Sequence, residues 1–347
     1  MTPRPRSAAI VAVLASALLA TSACSSTPSP SDTPASSQSS TASAVDHIYG
    51  TTEFTTPPTR VATISWVNAD AVLALDVVPV GMDSDIWGNN AHNSTDWKDA
   101  KLAELGAAIG STGAPVQFDV SDGIDYAGIA KAKPDAIFAA YSGLSKEEYD
   151  KLSKIAPTVG PLAANYTAPW QDVTRAAGEM LGKADAAAAV VKDVEAQIAQ
   201  QTEKFPELKG ATFIAGNLEP AKGGINVYTS GDTRPRFLTA LGMVEAPIVK
   251  QLATGTGFYT NVSPERADEL DSDVFFSWGP DGKNADEVVA ANPLFGRIPA
   301  YGKGGLVLLT NDADVLAISA SSPLSLPWAI DTVVPAIAAG AKAAVGR

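Results

Sequence analysis

The sequence predicts an α/β fold: two α/β lobes joined by one long rigid helix, with a ligand cleft between the lobes. Three observations predict it. Short β-branched and apolar runs alternate with helical patterns through the body of the chain. The stretch 183–205 keeps apolar residues near helical spacing along its whole length. The stretches after it echo those before it.

In chain order, residues 61–65 (VATIS) read as a short strand, 69–75 as a helix and 77–80 as the next strand. A polar helix over 126–133 leads through Pro134-Asp135 into a buried-type strand at 136–140 (AIFAA). Residues 158–160 form a short strand after Pro157. In 183–205, Ala187, Val190, Val191, Val194, Ile198 and Phe205 share a face, while Lys192, Glu195 and Gln197 lie on others. Gly182 precedes this helix and Pro206 ends it. At 1.5 Å per residue it spans about 33 Å, enough to bridge two lobes as one stiff strut. The echo then follows. The helix ending LALD (73–76) is matched by one ending LTALG (238–242), the latter after a strand at 225–229. KPDAIFA (133–139) is matched by DSDVFFS (271–277). The expected division is an N-terminal lobe at 45–182, the connecting helix at 183–205 and a C-terminal lobe at 206–347, each lobe with its own core. The crevice between them, at the carboxyl ends of the strands, is the expected ligand site.

The amino terminus sets the compartment. Arg4 and Arg6 precede a largely apolar run from Ala8 to Ala20, of signal-peptide length and too short to span a bilayer. Leu19-Ala20-Thr21-Ser22-Ala23-Cys24 resembles a bacterial lipobox, so residues 1–23 are expected to be a signal peptide and Cys24 the lipidated residue. Thr21 stands where an aliphatic residue is usual. The segment 24–44 is nearly all Ser, Thr, Pro and Ala, a composition with nothing to pack, and reads as a disordered tether. Later in the chain no run of 18 apolar residues suggests a membrane span.

Composition excludes several functions. The net charge is −13, and loss of Arg4 and Arg6 with the signal peptide makes it −15, which argues against nucleic acid and against polybasic lipid binding. Cys24 is the only cysteine, so the chain has no internal disulfide, thiolate metal site or Cys–His pair. Two distant histidines, His47 beside the tether and His92, do not make a zinc or manganese site. No G-x-S-x-G elbow, P-loop or dinucleotide fingerprint is present. An acid/base pair for an enzyme would have to come from Asp83, Asp85, Asp119 or Asp122, which nothing marks beyond solvated loop carboxylates.

Several motifs together resemble one family. Thr59-Arg60-Val61-Ala62-Thr63 and Leu73 to Gly81 (LALDVVPVG) fit its opening segments. Residues 130–137 (AKAKPDAI), 149–159 (YDKLSKIAPTV), 261–266 (NVSPER) and 292–295 (NPLF) follow in its order. The chain resembles the iron-siderophore and cobalamin class of periplasmic binding proteins, the type with a single-helix hinge. The resemblance implies capture of a ferric siderophore without catalysis and delivery to an ABC permease with its cytoplasmic ATPase. It implies a monomer, lipid-anchored outside the bacterial cytoplasmic membrane. It implies no cofactor, ferric iron entering only within the siderophore. It also implies docking to the permease through one acid per lobe. Glu265 matches the second, at the start of a helix capped by Ser263. Ala127 stands where the first should be, and Asp125 or Asp122 could serve from nearby. A bulky chelate with an apolar rim calls for aromatic walls and hydroxyl or guanidinium donors. Trp66, Trp87, Tyr141, Ser142, Trp170, Arg234, Arg236, Trp278 and Trp328, all near strand ends, are the expected lining. Cobalamin or haem, and a lipid-anchored extracytoplasmic enzyme, are the alternative readings.

Overall fold

The structure is a computed structural model, and it describes residues 43–219, 224–253, 257–279 and 282–346. The expected signal peptide, Cys24 and nearly all of the tether lie outside the described residues. The first described element is a hairpin of β1 (Ser43–His47) and β2 (Gly50–Phe54). Val45, His47, Thr52 and Phe54 alternate inward. Thr52 Oγ1 donates to the Thr158 carbonyl at 2.6 Å, and the Tyr49 hydroxyl donates to the Leu144 carbonyl at 2.5 Å. One expectation is corrected here: Ser43 and Ala44, read as the end of the tether, are already strand. The His47 ring is packed in the hairpin; its Nδ1 accepts from the Tyr49 amide and its Nε2 donates to Thr52, beside the Tyr149 ring.

The first lobe runs β3 (Val61–Thr63), α1 (Asn68–Leu73), β4 (Gly81–Asp83), α2 (Asp96–Glu104), β5 (Val116–Phe118), α3 (Tyr126–Ala132), β6 (Ala136–Phe138), α4 (Lys146–Leu152) and β7 (Thr158–Val159). Its sheet is parallel throughout, in the order β5-β4-β3-β6-β7. The strand expected at 77–80 falls instead at 81–83. Val80 only enters the ladder, its amide bonding the Val61 carbonyl at 2.8 Å. The strand proper begins at Gly81, a position that must be glycine because a Cβ there would overlap the Phe118 ring of the neighbouring strand.

Helix α5 (Trp170–Met180) then turns at Gly182, φ +65°, into α6 (Ala184–Glu203). With 20 residues, α6 spans about 30 Å. Of the expected stripe, Ala187, Val191, Val194 and Ile198 are buried and Gln201 extends it, while Val190 is half-buried and Phe205 lies past the helix end.

The second lobe runs β8 (Thr212–Glu219), β9 (Gly224–Tyr228), α7 (Thr233–Ala240), β10 (Val244–Glu245), α8 (Pro247–Leu252), β11 (Tyr259–Val262), β12 (Val274–Trp278), α9 (Ala285–Ala291), α10 (Pro299–Lys303), β13 (Leu306–Leu309), α11 (Asp312–Ser319) and α12 (Ser325–Val345). The path β11-β9-β8-β12-β13 is mixed, with β10 added beside β8. The internal echo holds in part. β6 and β12 each lie parallel to their sheet's central strand, β3 or β8. Asp135 before β6 accepts from Thr59, and Asp273 before β12 accepts from Thr212, each through backbone amide and hydroxyl. The strand 225–229, paired in the echo with the start of the first lobe, is β9 and runs antiparallel to β8. The counterpart of β3 is β8, which is not among the strands read from the sequence.

The cores are not separate. One apolar cluster runs from Val61 and Phe138 in the first sheet through α5, α6 and α12 to Phe213 and Phe276 in the second. Smaller clusters fill the outer faces. Helix α12 is long and apolar enough to cross a membrane by length and composition, with a hydropathy of 1.3. Here it is a core helix, burying Ala329, Ile330, Val333, Val334 and Ile337 in the shared cluster.

Candidate functional site

Parallel strands bring their carboxyl ends to one edge of the first sheet, and the loops there carry the aromatic residues. After β3, Ser65 takes φ +73° and its amide donates to Asp83 Oδ2 at 2.6 Å. Trp66 follows, 47% exposed, and stacks on Tyr166 at 6.0 Å. Tyr166 meets Tyr141, which follows β6, edge-on at 5.6 Å. Gly143 makes room for this, since a Cβ there would strike the Tyr166 ring. Trp87, after β4, is 43% exposed and Tyr166 42%. With Trp66 and Tyr259 they are the aromatic residues most open to solvent among the described residues, against the general tendency of such rings to be covered.

On the second lobe the same kind of chemistry surrounds Arg234. The loop after β9 places Asp232 as N-cap of α7, and Arg234 folds back onto it. Its Nε and Nη2 donate to the two carboxylate oxygens, each at 2.7 Å. The guanidinium carbon lies 3.5 Å from the centroid of Tyr228 and 5.2 Å from that of Trp278. Tyr228 stacks with Trp278 at 6.0 Å and with Phe258 at 6.4 Å. Burial pulls the Arg234 pKa down, but the bonded Asp232 carboxylate more than offsets this, leaving it raised. Burial pushes the Tyr228 phenol up to about 12. The group is therefore a fixed, permanently charged fork, buried against aromatic faces.

Tyr141 joins the two halves. Its phenol lies within the field of Asp232 and Arg234 and against Thr233, and burial followed by the Asp232 charge raises its pKa strongly. Trp66, Tyr166, Tyr141, Arg234, Tyr228 and Trp278 thus form one series across the lobes. Such a surface can cover the faces of a large ligand and present one guanidinium to its oxygens.

The other expected lining residues lie elsewhere. Ser142 is buried and its hydroxyl donates to the Ala139 carbonyl at 2.6 Å. Trp328 sits in α12 against Trp97, ring centroids 5.1 Å apart, within the shared core. Trp170 and Arg236 line a different groove, beside α6. Only Pro235 separates Arg234 from Arg236, and the first turn of α7 sends them to different sites. Tyr166, Tyr228, Phe258 and Asp232 were not read from the sequence as site residues. Tyr228 was within reach, as an aromatic residue closing the expected strand at 225–229.

Beneath Trp66 lies a buried polar cluster. Asp70 accepts from Trp97 Nε1 at 2.8 Å and from Ser322 Oγ at 2.5 Å, the latter from the second lobe. Lys98, 3% exposed, pairs with Asp85 at 2.7 Å and lies 3.8 Å from Asp70. Asp70 Oδ1 has no hydrogen-bond partner, and burial pushes its carboxyl up to about 6. Burial likewise takes Asp83 to about 6. Of the carboxylates weighed for an enzyme, Asp85 is thus an ion-pair partner and Asp83 a backbone acceptor, while Asp119 and Asp122 are exposed.

Of the expected docking acids, Asp125 is the N-cap of α3, its Oδ1 accepting from the Gly128 amide at 2.8 Å, with Ala127 exposed beside it. Glu265 is exposed, on a 3₁₀ turn (Pro264–Glu269) where a helix over 265–270 was expected. Ser263 does not cap the turn; its hydroxyl instead donates to the Glu265 carboxylate and lowers its pKa. Among the described residues no group of three or more His, Cys, Asp or Glu is arranged to hold a metal ion.

Comparison with known proteins agrees with this architecture. PiaA of Streptococcus pneumoniae TIGR4, solved in complex with ferrichrome, is 32% identical, with a TM-score of 0.79 over 86% of this chain and 99% of that one. A periplasmic solute binding protein of Mycobacterium smegmatis is 26% identical, with a TM-score of 0.68 over 86% of this chain and 98% of that one. The Fe(3+)-citrate-binding protein YfmC of Bacillus subtilis is 24% identical over 85% of this chain and 87% of its own length. The model of the periplasmic binding protein family matches residues 61–313. Two α/β lobes with one helix between them agree with that match: the chain belongs to the periplasmic binding protein family.

Proposed function

We propose that this protein is the lipid-anchored, extracytoplasmic substrate-binding component of an ABC importer, that it captures a ferric siderophore, and that it hands the complex to the permease. The observation that carries the reading is the aromatic series from Trp66 to Trp278 with Arg234 fixed in its middle. Its exposed rings suit the apolar rim of a bulky chelate, and Arg234 suits its oxygens. A relative at 32% identity in complex with ferrichrome, and another named for Fe(3+)-citrate, support the ligand class. Iron is cargo here, held by the siderophore. Trp66, Trp87, Tyr141, Arg234 and Trp278 are the ligand-binding residues of this proposal, joined by Tyr166 and Tyr228.

Delivery uses Glu265 on the second lobe. On the first, Asp125 keeps one carboxylate oxygen on its helix cap and offers the other to an arginine of the permease. Cys24 carries the lipid, and residues 24–42 form the tether. Titration with ferrichrome and with ferric citrate, followed by tryptophan fluorescence, tests the ligand class. Saturable quenching by either is the expected result. No quenching by either, with turnover of some substrate instead, would return the protein to the enzyme class.

A further inference from the structure

A second groove lies between the lobes, on the flank of α6, and the aromatic series does not enter it. Its volume is about 540 Å³, within the range of small-molecule sites. Three parts of the fold contribute to it: α5 with Trp170, α6 with Ile198 and Ala199, and α7 with Arg236 and Phe237, closed by Leu326. Trp170, Ile198, Phe237 and Leu326 are buried, Ala199 is exposed and Arg236 is half-buried. Nη1 of Arg236 donates to the Thr167 carbonyl at 2.7 Å. No carboxylate lies within ion-pair distance of its guanidinium among the described residues. Asp232, whose charge acts on it, is already held by both arms of Arg234. Burial lowers the Arg236 pKa, the direction expected of a cation short of partners. The acids of the groove stand at its rim and are exposed. Asp172 pairs with Arg175 at 3.0 Å, and Glu195 accepts from Gln171 at 3.2 Å. Solvent screens these exposed charges more than the half-buried guanidinium, which still feels Asp232 and Asp172. The groove is therefore largely apolar along its walls, with the half-buried Arg236 guanidinium set among them.

We propose that this groove is a second binding site, for a small organic anion with an apolar body whose carboxylate is held by Arg236. The body lies against Trp170, Ile198 and Phe237. Because both lobes and the connecting helix contribute walls, the occupant bridges all three.

1-Naphthoate is a suitable probe, with 1-naphthalenemethanol as its neutral counterpart. Calorimetry on the purified protein should show 1:1 binding of naphthoate, about tenfold tighter than the alcohol, the size of one charge-assisted contact. Arg236→Ala should remove that preference. Ala199→Trp, which adds bulk from an exposed position of α6, should block both probes. Trp66→Ala, in the other site, should leave naphthoate affinity within about twofold. Absence of naphthoate binding, equal affinity for acid and alcohol, or an equal loss in Trp66→Ala would overturn the proposal. If Arg236→Ala does not fold, judged by its thermal melt, Ala199→Trp decides: undiminished naphthoate binding in that variant also overturns it.

Discussion

The Ser322 hydroxyl donates to the Asp70 carboxylate at 2.5 Å, joining positions 252 residues apart across the boundary between the lobes. The bond is buried, shared with Trp97, and set beside the Lys98–Asp85 pair. A polar contact of this kind, within a core that already runs through both lobes, argues for small relative motion on ligand binding.

Its electrostatics give a pH prediction. Asp70 titrates at about 6 in the folded protein, against a model-peptide value near 3.9. Between about pH 4 and pH 6 the folded state holds a proton that the unfolded chain has lost. Stability from this group is thus greatest below about pH 4, falls as the pH rises to about 6, and stays lower above it, by up to about 3 kcal/mol. Asp70→Asn keeps an acceptor for Ser322 and Trp97 and removes the charge. Denaturant unfolding of the variant should vary less with pH across this window, Asp83 supplying the residual slope in the same direction. An unchanged slope would show that Asp70 is not the titrating group.

Two tryptophans should separate ligand binding from stability. Trp66→Ala removes an exposed stacking face and should weaken ferrichrome binding about tenfold with little change in melting temperature. Trp328→Ala leaves Trp97 without its neighbour in the core and should lower stability by about 2–4 kcal/mol while sparing affinity. Fluorescence titration and thermal melts on both variants check this. The opposite pattern would move the site towards α12.

Glu265→Gln should leave ferrichrome affinity intact in the isolated protein and reduce ligand-stimulated ATP hydrolysis by a reconstituted importer several-fold. The carboxylate is exposed, and its low pKa keeps it charged at neutral pH. Undiminished hydrolysis would remove Glu265 from docking.

Gly81→Ala tests the packing of the first sheet. The added methyl overlaps the Phe118 ring, and overpacking of this kind costs about 1–3 kcal/mol. The double variant with Phe118→Leu should recover part of the loss in denaturant unfolding. Additive losses would place the strain elsewhere.

Local pattern decided a good deal. The stripe Ala187, Val191, Val194, Ile198 specifies α6 because helical spacing is a property of neighbouring residues. Asp135 and Asp273 precede matching apolar runs, and both cap the start of a paired strand. The alternation of strands and helices established the α/β class and the placing of Trp66, Trp87 and Tyr141 after strands of the first sheet. Other features depended on residues far apart in the chain. The central place of β8 comes from pairing with β9, β10 and β12, which its own eight residues do not encode. Being tryptophan or arginine did not assign a residue to a site. Trp66 and Arg234 enter the aromatic series, Trp170 and Arg236 another groove, and Trp328 the core. Composition and spacing determined which chemistry this chain carries. Only the tertiary structure decided which of those side chains meet, because burial and contact are set by elements hundreds of residues apart packing together.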